Sequence, residues 1–150
     1  MKTVKEILNS KGREVYSVSP DTTVFEALKI MAEKGIGALL VMDGDKIVGI
    51  MSERDYARKI ILLGRSSKDV KVSEIMSEDV IYIDINQHTE ACMALLTGKR
   101  IRHLPVFDKG KLAGLISIGD VVKAVIDEKE FEIEQLVNYI KNSPSISKKE

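Results

Sequence analysis

The sequence holds one cysteine, Cys92, and two histidines. A lone thiol excludes an intramolecular disulfide, and the simplest setting for it is a reducing cytoplasm. One cysteine and two histidines form no metal-ligand cluster. Cys92 sits in T-E-A-C-M-A-L-L, an apolar helical stripe, where an inert buried thiol is expected. The 23 basic and 23 acidic residues cancel, so the chain lacks the broad positive footprint that nucleic acid demands. No apolar run approaches the ~20 residues that span a bilayer. The N-terminal M-K-T-V-K-E-I-L-N has no apolar core of signal-peptide length. The expectation is a protein without membrane or nucleic-acid partners.

Catalytic signatures are missing too. There is no G-x-x-x-x-G-K-[ST] loop and no G-x-G-x-x-G after a strand. Ser, His and Asp occur without the order of a triad. The methionines fall mostly within apolar stripes and strands, as core filling.

What is present is a duplication. From Ile36 the chain reads I-G-A-L-L-V-M-D-G-D-K-I-V-G-I-M-S-E-R-D, and from Ile101 it reads I-R-H-L-P-V-F-D-K-G-K-L-A-G-L-I-S-I-G-D. The two align without a gap at a spacing of 65, which sets Asp43 on Asp108, Gly49 on Gly114, Ser52 on Ser117 and Asp55 on Asp120. A fixed period marks a repeated structural unit. A chain of 150 residues buries roughly 70% of its unfolded surface, so the pair needs no disulfide or metal to fold.

Each copy opens on a short helical turn, Val4 to Leu8 and Val72 to Met76, laying two apolar residues on the body of the unit. Short β-branched and aromatic runs follow, Val15 to Val18 and Val80 to Ile83, and read as strands. Val24, Ala27, Leu28 and Met31 recur at helical spacing behind an N-cap at Thr22 or Thr23, and Gly35 stops that helix. T-E-A-C-M-A-L-L-T, ending near Gly98, is its counterpart. A-L-L-V-M and L-P-V-F predict strands buried on both faces. Asp43 to Lys46 and Asp108 to Lys111 predict tight hairpins, with return strands K-I-V-G-I-M and K-L-A-G-L-I. Helices E-R-D-Y-A-R-K-I-I-L-L and G-D-V-V-K-A-V-I-D close the copies. Residues 64–69 are a polar connector. The mixed order predicts an α+β fold. Phe131 to Ile140 reads as an amphipathic helix packing either on the pair or on a partner chain, and S-P-S-I-S-K-K-E as a frayed tail. The division is 1–65 for the first repeat, 70–127 for the second, and 128–150 for the terminal helix and tail.

The chemistry to weigh is the polar pair Ser-x-x-Asp, present as Ser52/Asp55 and Ser117/Asp120. Each stands where a strand hands over to a helix. As a capping box it satisfies orphan backbone donors and puts negative charge at the helix N-terminus. The same geometry suits a ligand. Helix N–H groups attract an anion, and a carboxylate there can accept hydrogen bonds from the two hydroxyls of a ribose. The copies differ where Arg102-His103 aligns with Gly37-Ala38. Cations can neutralise phosphate, and glycine lets a base approach the backbone. The plain readings are a solvated Arg102 and a structural His103. Arg54 and Arg58 flank Asp55, where a solvated face or a salt bridge is favoured over a phosphate contact.

The pattern resembles the tandem cystathionine β-synthase (CBS) domain pair, a regulatory module, of the stand-alone prokaryotic type. S-V-S-P-D-T-T-V-F-E-A-L and the two runs quoted above carry the resemblance, over about residues 1 to 127. It implies two β-α-β-β-α repeats packed sheet to sheet with pseudo-twofold symmetry, plus the terminal helix. It implies adenosyl ligands (AMP, ADP, ATP, S-adenosylmethionine, sometimes NAD) in two clefts between the repeats, each cleft drawing on both. One cleft would use Ser117 and Asp120 with Ser19, Pro20, Asp21, Thr22, Ile36, Gly37 and Ala38. The other would use Ser52 and Asp55 with Asp84, Ile85, Asn86, Ile101, Arg102 and His103. It further implies a homodimer, an adenine nucleotide as regulatory ligand with no required cofactor, and a regulated partner protein.

The resulting expectation is a non-enzymatic, cytoplasmic adenine-nucleotide sensor in signal transduction. The alternative is a constitutive dimerisation or assembly module with vestigial clefts. An enzyme acting on the nucleotide is disfavoured, since no nucleophile or base is organised.

Overall fold

A computed structural model describes residues 1–142, and the S-P-S-I-S-K-K-E tail lies outside the described residues. The fold is α+β, with two small sheets. The chain divides into two compact units, one of Glu14–Ile81 and one joining Met1–Arg13 to the chain from Tyr82 onward. We refer to them as the first-repeat and second-repeat units.

The chain opens with α1 (Val4–Lys11), capped by the Thr3 side chain, which accepts from Glu6 N. This helix belongs to the second-repeat unit.

In the first-repeat unit, β1 (Ser17–Val18) leads to α2 (Val24–Lys34). Thr23 caps α2 by accepting from Glu26 N, and Gly35 ends it in the left-handed region at φ 64°, a conformation that costs glycine least. Next come β2 (Ala38–Asp43) and β3 (Lys46–Ser52). The sheet order is β1-β2-β3, with β1 parallel and β3 antiparallel to β2. Val41 pairs with Gly49 and Met42 with Ile47, leaving Val48 as the extra residue of a bulge. Val18, Val24, Ala27, Met31, Leu39, Val41, Met51 and Ile60 form the core of this unit with Val70, Val72 and Ile75.

The helix expected after β3 is not regular. One α-turn, α3 (Glu53–Tyr56), passes into a π-helical turn over Ala57–Ile61. The wider turn accompanies full burial of Ile60 and a hydrogen bond from Lys59 Nζ to Ile75 O of 2.8 Å. A 3₁₀ turn over Val72–Glu74 completes the unit.

The second-repeat unit repeats the plan with β4 (Ile83–Asp84), α4 (Thr89–Gly98), β5 (His103–Asp108) and β6 (Lys111–Ser117). Its bulge falls at the equivalent place, with Val106 opposite Gly114, Phe107 opposite Leu112, and Ala113 extra. Its hairpin has positive φ at both Lys109 and Gly110, the sign pattern of a type I′ turn, whose twist matches that of the strands. Both β1 and β4 are shorter than their apolar runs predict. Parallel pairing reaches only Ser17, Val18, Ile83 and Asp84.

The last helix, α5, runs unbroken over Ile118–Lys141, 24 residues or about 36 Å. The two helical stretches read from the sequence are thus one helix, since Glu128, Lys129 and Glu130 between them are good helix formers with no glycine or proline. Its first half packs on α1, α4 and β6, burying Val121 and Ala124. From Phe131 to Asn142 every residue is exposed. Among the described residues no side chain of this segment is buried.

The opening turns change places. Leu8 of α1 lies where a Cβ on Gly114 would come within 2.7 Å of Leu8 Cδ2. Met76 stands equally close to Gly49, with a built Cβ 2.6 Å from its Sδ and 3.0 Å from Ser77 O. The turn that opens each sequence repeat therefore packs on the body built by the other repeat. The glycines of the return strands are what allow the close approach.

Candidate functional site

Ser52 and Ser117 are the last residues of β3 and β6, and each caps the following helix. Ser117 N donates to Asp120 Oδ2 at 2.8 Å, and Asp120 N donates to Ser117 Oγ at 3.2 Å. In the first-repeat unit Ser52 N and Oγ donate to Asp55 Oδ2 at 2.9 and 3.0 Å, and Asp55 N donates to Ser52 Oγ at 3.3 Å. Both are full capping boxes, so the local structural reading holds at both positions.

Each carboxylate also meets a lysine. Lys11 Nζ lies 2.5 Å from Asp120 Oδ2 and donates to Leu115 O at 2.7 Å. Lys59 Nζ stands 3.5 Å from Asp55 Oδ1 and binds Ile75 O. The outcomes differ. Asp55 has both oxygens engaged, whereas among the described residues no hydrogen bond reaches Asp120 Oδ1.

Charge around Asp120 is uneven. Burial works to raise its pKa, but the hydrogen bonds from Lys11 and Ser117 and the lysine charge outweigh it and hold the carboxyl below its ordinary value. His103 is shifted down, chiefly because burial disfavours the imidazolium and further because Lys11 and Arg102 are nearby; Asp120 pulls the other way. Lys11, Arg102, His103 and Asp120 thus form one electrostatic group within the second-repeat unit.

Register sorts the other candidates into two sets in each unit. Ala38 pairs with Ser52, and Glu53 N donates to Gly37 O at 3.1 Å, so Ile36, Gly37 and Ala38 lie beside Ser52 and Asp55. A Cβ on Gly37 would meet only the Glu53 side chain, at 3.9 Å, so space beside that backbone is open. His103 pairs with Ser117, and Ile118 N donates to Arg102 O at 2.8 Å, which puts Ile101, Arg102 and His103 beside Ser117 and Asp120.

The second set sits toward the other end of each sheet. Val18 pairs with Val41, so Ser19, Pro20, Asp21 and Thr22 follow beyond the middle of β2. There Ser19 Oγ and Thr22 Oγ1 are 3.2 Å apart, Val72 N and Ser73 N donate to the Thr22 and Pro20 carbonyls, and Asp21 pairs with Lys71 at 3.5 Å. Asp84 pairs with Phe107, Ile85 is buried and Asn86 N donates to Asp84 Oδ1 at 2.8 Å. Within a single unit these residues do not converge on the Ser-x-x-Asp motif of that unit.

Arg54 and Arg58 are exposed, and among the described residues neither forms a salt bridge. Lys59 and Lys11 are the residues that sequence reasoning missed. Lys59 was legible as the i+4 neighbour of Asp55. Lys11 lies 109 positions from Asp120 and had no local signal. Cys92 is buried, and burial pushes its thiol up to about 11. Among the described residues no group of His, Cys, Asp and Glu could hold a metal ion, and no helix is long and apolar enough to cross a membrane.

Two α+β units with matching bulges, hairpins at equivalent positions and the same capped strand-to-helix junction define a tandem-repeat module. The family model for the CBS domain matches this chain twice, over residues 4–62 and 72–127. The chain belongs to the CBS-domain family. CBS domain-containing protein CBSX3, mitochondrial, of Arabidopsis thaliana is 40% identical over 147 residues, covering 92% of this chain and 71% of that one. A CBS-domain protein from Burkholderia ambifaria MC40-6 has a solved structure matching with TM-score 0.81 at 57% identity, over 84% of this chain and 95% of that one. The CBS domain pair of protein MJ0100, solved in complex with 5′-methylthioadenosine and S-adenosyl-L-methionine, shares the fold at TM-score 0.72 and 22% identity, over 85% of this chain and 98% of that one.

Proposed function

We propose that this chain is a non-enzymatic sensor that binds an adenosyl ligand and passes the bound state to a partner protein. The ligand class is AMP, ADP or ATP, with NAD and S-adenosylmethionine as further members. Asp120 is the residue on which the reading turns. Its carboxylate is fixed by Ser117 N and Lys11 through one oxygen, and Oδ1 accepts no hydrogen bond among the described residues. That oxygen can accept from a ribose hydroxyl, while Lys11 and Arg102 supply positive charge for a phosphate and His103, held neutral by burial, offers a ring N–H. Ser52 and Asp55 repeat the motif. Ser19, Pro20, Thr22, Ile36, Gly37, Ala38, Asp84, Ile85 and Ile101 complete the candidate set. The MJ0100 complex adds support at the level of shared fold alone. The working form is a homodimer, and a single buried Cys92 suits a reducing compartment such as the cytoplasm.

A second reading rests on the lysines. Lys11 and Lys59 already neutralise the two carboxylates, as expected of a constitutive assembly module with unused sites. Thermal denaturation with AMP, ATP, NAD and S-adenosylmethionine separates the two. A sensor gains RT ln(1 + [L]/Kd), about 2.7 kcal/mol at a hundredfold excess over Kd. Melting curves unmoved by all four would leave the assembly module.

A further inference from the structure

The two Ser-x-x-Asp motifs match in sequence but differ in which of their polar atoms are already committed. Asp120 is held through one oxygen. Ser117 N and Lys11 Nζ both donate to Oδ2, and Oδ1 accepts no hydrogen bond among the described residues. Asp55 is held through both. Ser52 N and Oγ donate to Oδ2, and Lys59 Nζ sits 3.5 Å from Oδ1. The serines differ in the same sense. The Ser52 hydroxyl donates to Asp55 at 3.0 Å. Among the described residues the Ser117 hydroxyl only accepts, from Asp120 N at 3.2 Å, so its proton is free for another acceptor. Charge differs as well. Glu53 N donates to Gly37 O at 3.1 Å and Ile118 N to Arg102 O at 2.8 Å, so the two backbone junctions are equivalent. One carries a carboxylate and the other a guanidinium. The Glu53 side chain lies 3.9 Å from a Cβ built on Gly37, while Arg54 and Arg58 are exposed on α3 and the π-helical turn.

We infer that the chain binds one phosphate-bearing adenosyl ligand, at Ser117 and Asp120, and that Ser52 and Asp55 serve only as a helix cap. A ribose hydroxyl needs an acceptor with an open lone pair, and Asp120 Oδ1 offers one without displacing anything. At Asp55 the ribose has to dislodge either Lys59 or the Ser52 hydroxyl. Each of those groups then gives up a charge-assisted contact that the ligand must replace before it gains any affinity. The serine argument runs in parallel. Ser117 can pass its proton to a ribose or phosphate oxygen while still accepting from Asp120 N, whereas Ser52 must first let go of Asp55. A phosphate beside Arg102 gains a charge-assisted hydrogen bond. A phosphate beside Gly37 meets the Glu53 carboxylate and is repelled.

The inference rests on the sensor reading but fails separately from it. The test is isothermal titration of the full chain with AMP, alongside Asp55→Asn, Asp120→Asn, Ser52→Ala and Ser117→Ala, with far-UV circular dichroism as the check on folding. Wild type is expected to bind one AMP per chain. Affinity falls by about tenfold or more in Asp120→Asn and severalfold in Ser117→Ala. In Asp55→Asn and Ser52→Ala it stays within about twofold of wild type, and the loss appears in the melting temperature, as for a helix cap. The serine pair reads the same contrast if either asparagine variant is unfolded. Two AMP per chain, or an affinity that falls in Asp55→Asn or Ser52→Ala as far as in its counterpart, overturns the inference and leaves a sensor whose two motifs both bind. A wild-type chain that binds none of AMP, ATP and NAD also overturns it, and the sensor reading falls with it when S-adenosylmethionine is unbound too.

Discussion

Lys11 Nζ lies 2.5 Å from Asp120 Oδ2, joining the first helix of the chain to the start of its last. The same ammonium closes on the Leu115 carbonyl at the end of β6. One lysine thus fixes the acid of the capping box, the strand that precedes it and the helix that opens the chain. Removing it has a defined consequence. In Lys11→Met the Asp120 carboxyl loses the largest of the contacts that lower its pKa, while burial continues to raise it. The Asp120 titration followed by carbon NMR moves upward, and His103, relieved of a neighbouring positive charge, moves upward with it.

Asp120→Ala separates cap from ligand site. Loss of a charged hydrogen-bond partner lowers affinity for the adenosyl ligand by about 1.5–3 kcal/mol, read by isothermal titration. If Asp120 is only a cap, the loss appears in the melting temperature and the affinity stays near that of wild type. Ser117→Ala costs about 1 kcal/mol of stability in either case, the usual value of an N-cap side chain.

The close packing at Gly114 and Gly49 predicts overpacking. Gly114→Ala forces a Cβ to 2.7 Å from Leu8 Cδ2 and costs about 1–3 kcal/mol. Leu8→Ala in the same chain recovers part of that, so the double-mutant cycle gives a coupling of opposite sign to the single losses. Gly49→Ala is rescued less by Met76→Ala, because the Ser77 carbonyl at 3.0 Å is backbone. Urea denaturation of wild type and the six variants measures both cycles.

The downward shift of His103 sets a pH dependence. Between its folded value and the ordinary 6.5, the unfolded chain binds the proton and the folded chain does not, so stability rises with pH there. Its contribution is fully present above 6.5 and is lost as pH falls through that window. Asp120, also shifted down, acts with the same sign below its ordinary 3.8. Urea midpoints from pH 7 to 5 fall for wild type, and the fall is shallower in His103→Gln.

Burial and a pKa near 11 make the Cys92 thiol inert. Native protein leaves a disulfide reagent such as DTNB unreacted over a time in which urea-unfolded protein titrates one thiol. Prompt reaction of the native chain contradicts the burial.

Much of the fold was legible because its signals are local. A threonine cap, Thr22 or Thr23 in the sequence and Thr23 in the structure, and Gly35 as stop bounded α2, the D-G-D-K and D-K-G-K turns placed both hairpins, and the uninterrupted apolar run Ala38 to Val41 announced a strand buried on both faces. The Ser-x-x-Asp capping boxes were visible for the same reason, since the partners are three residues apart. The π-helical turn at Ala57–Ile61 was not visible, because an α- and a π-register read alike until Ile60 has a core to enter.

The sequence alone determined that this protein is a duplication, which elements each copy contains, and that the copies carry matched polar pairs, because period, propensity and capping act within a few residues. Only the tertiary structure decided that each opening turn packs on the body of the other repeat, that Lys11 reaches Asp120 across 109 positions, and that α5 runs on without a break through Lys141. Those outcomes depend on which surfaces meet once the chain has folded, and contacts between distant residues leave no periodic trace.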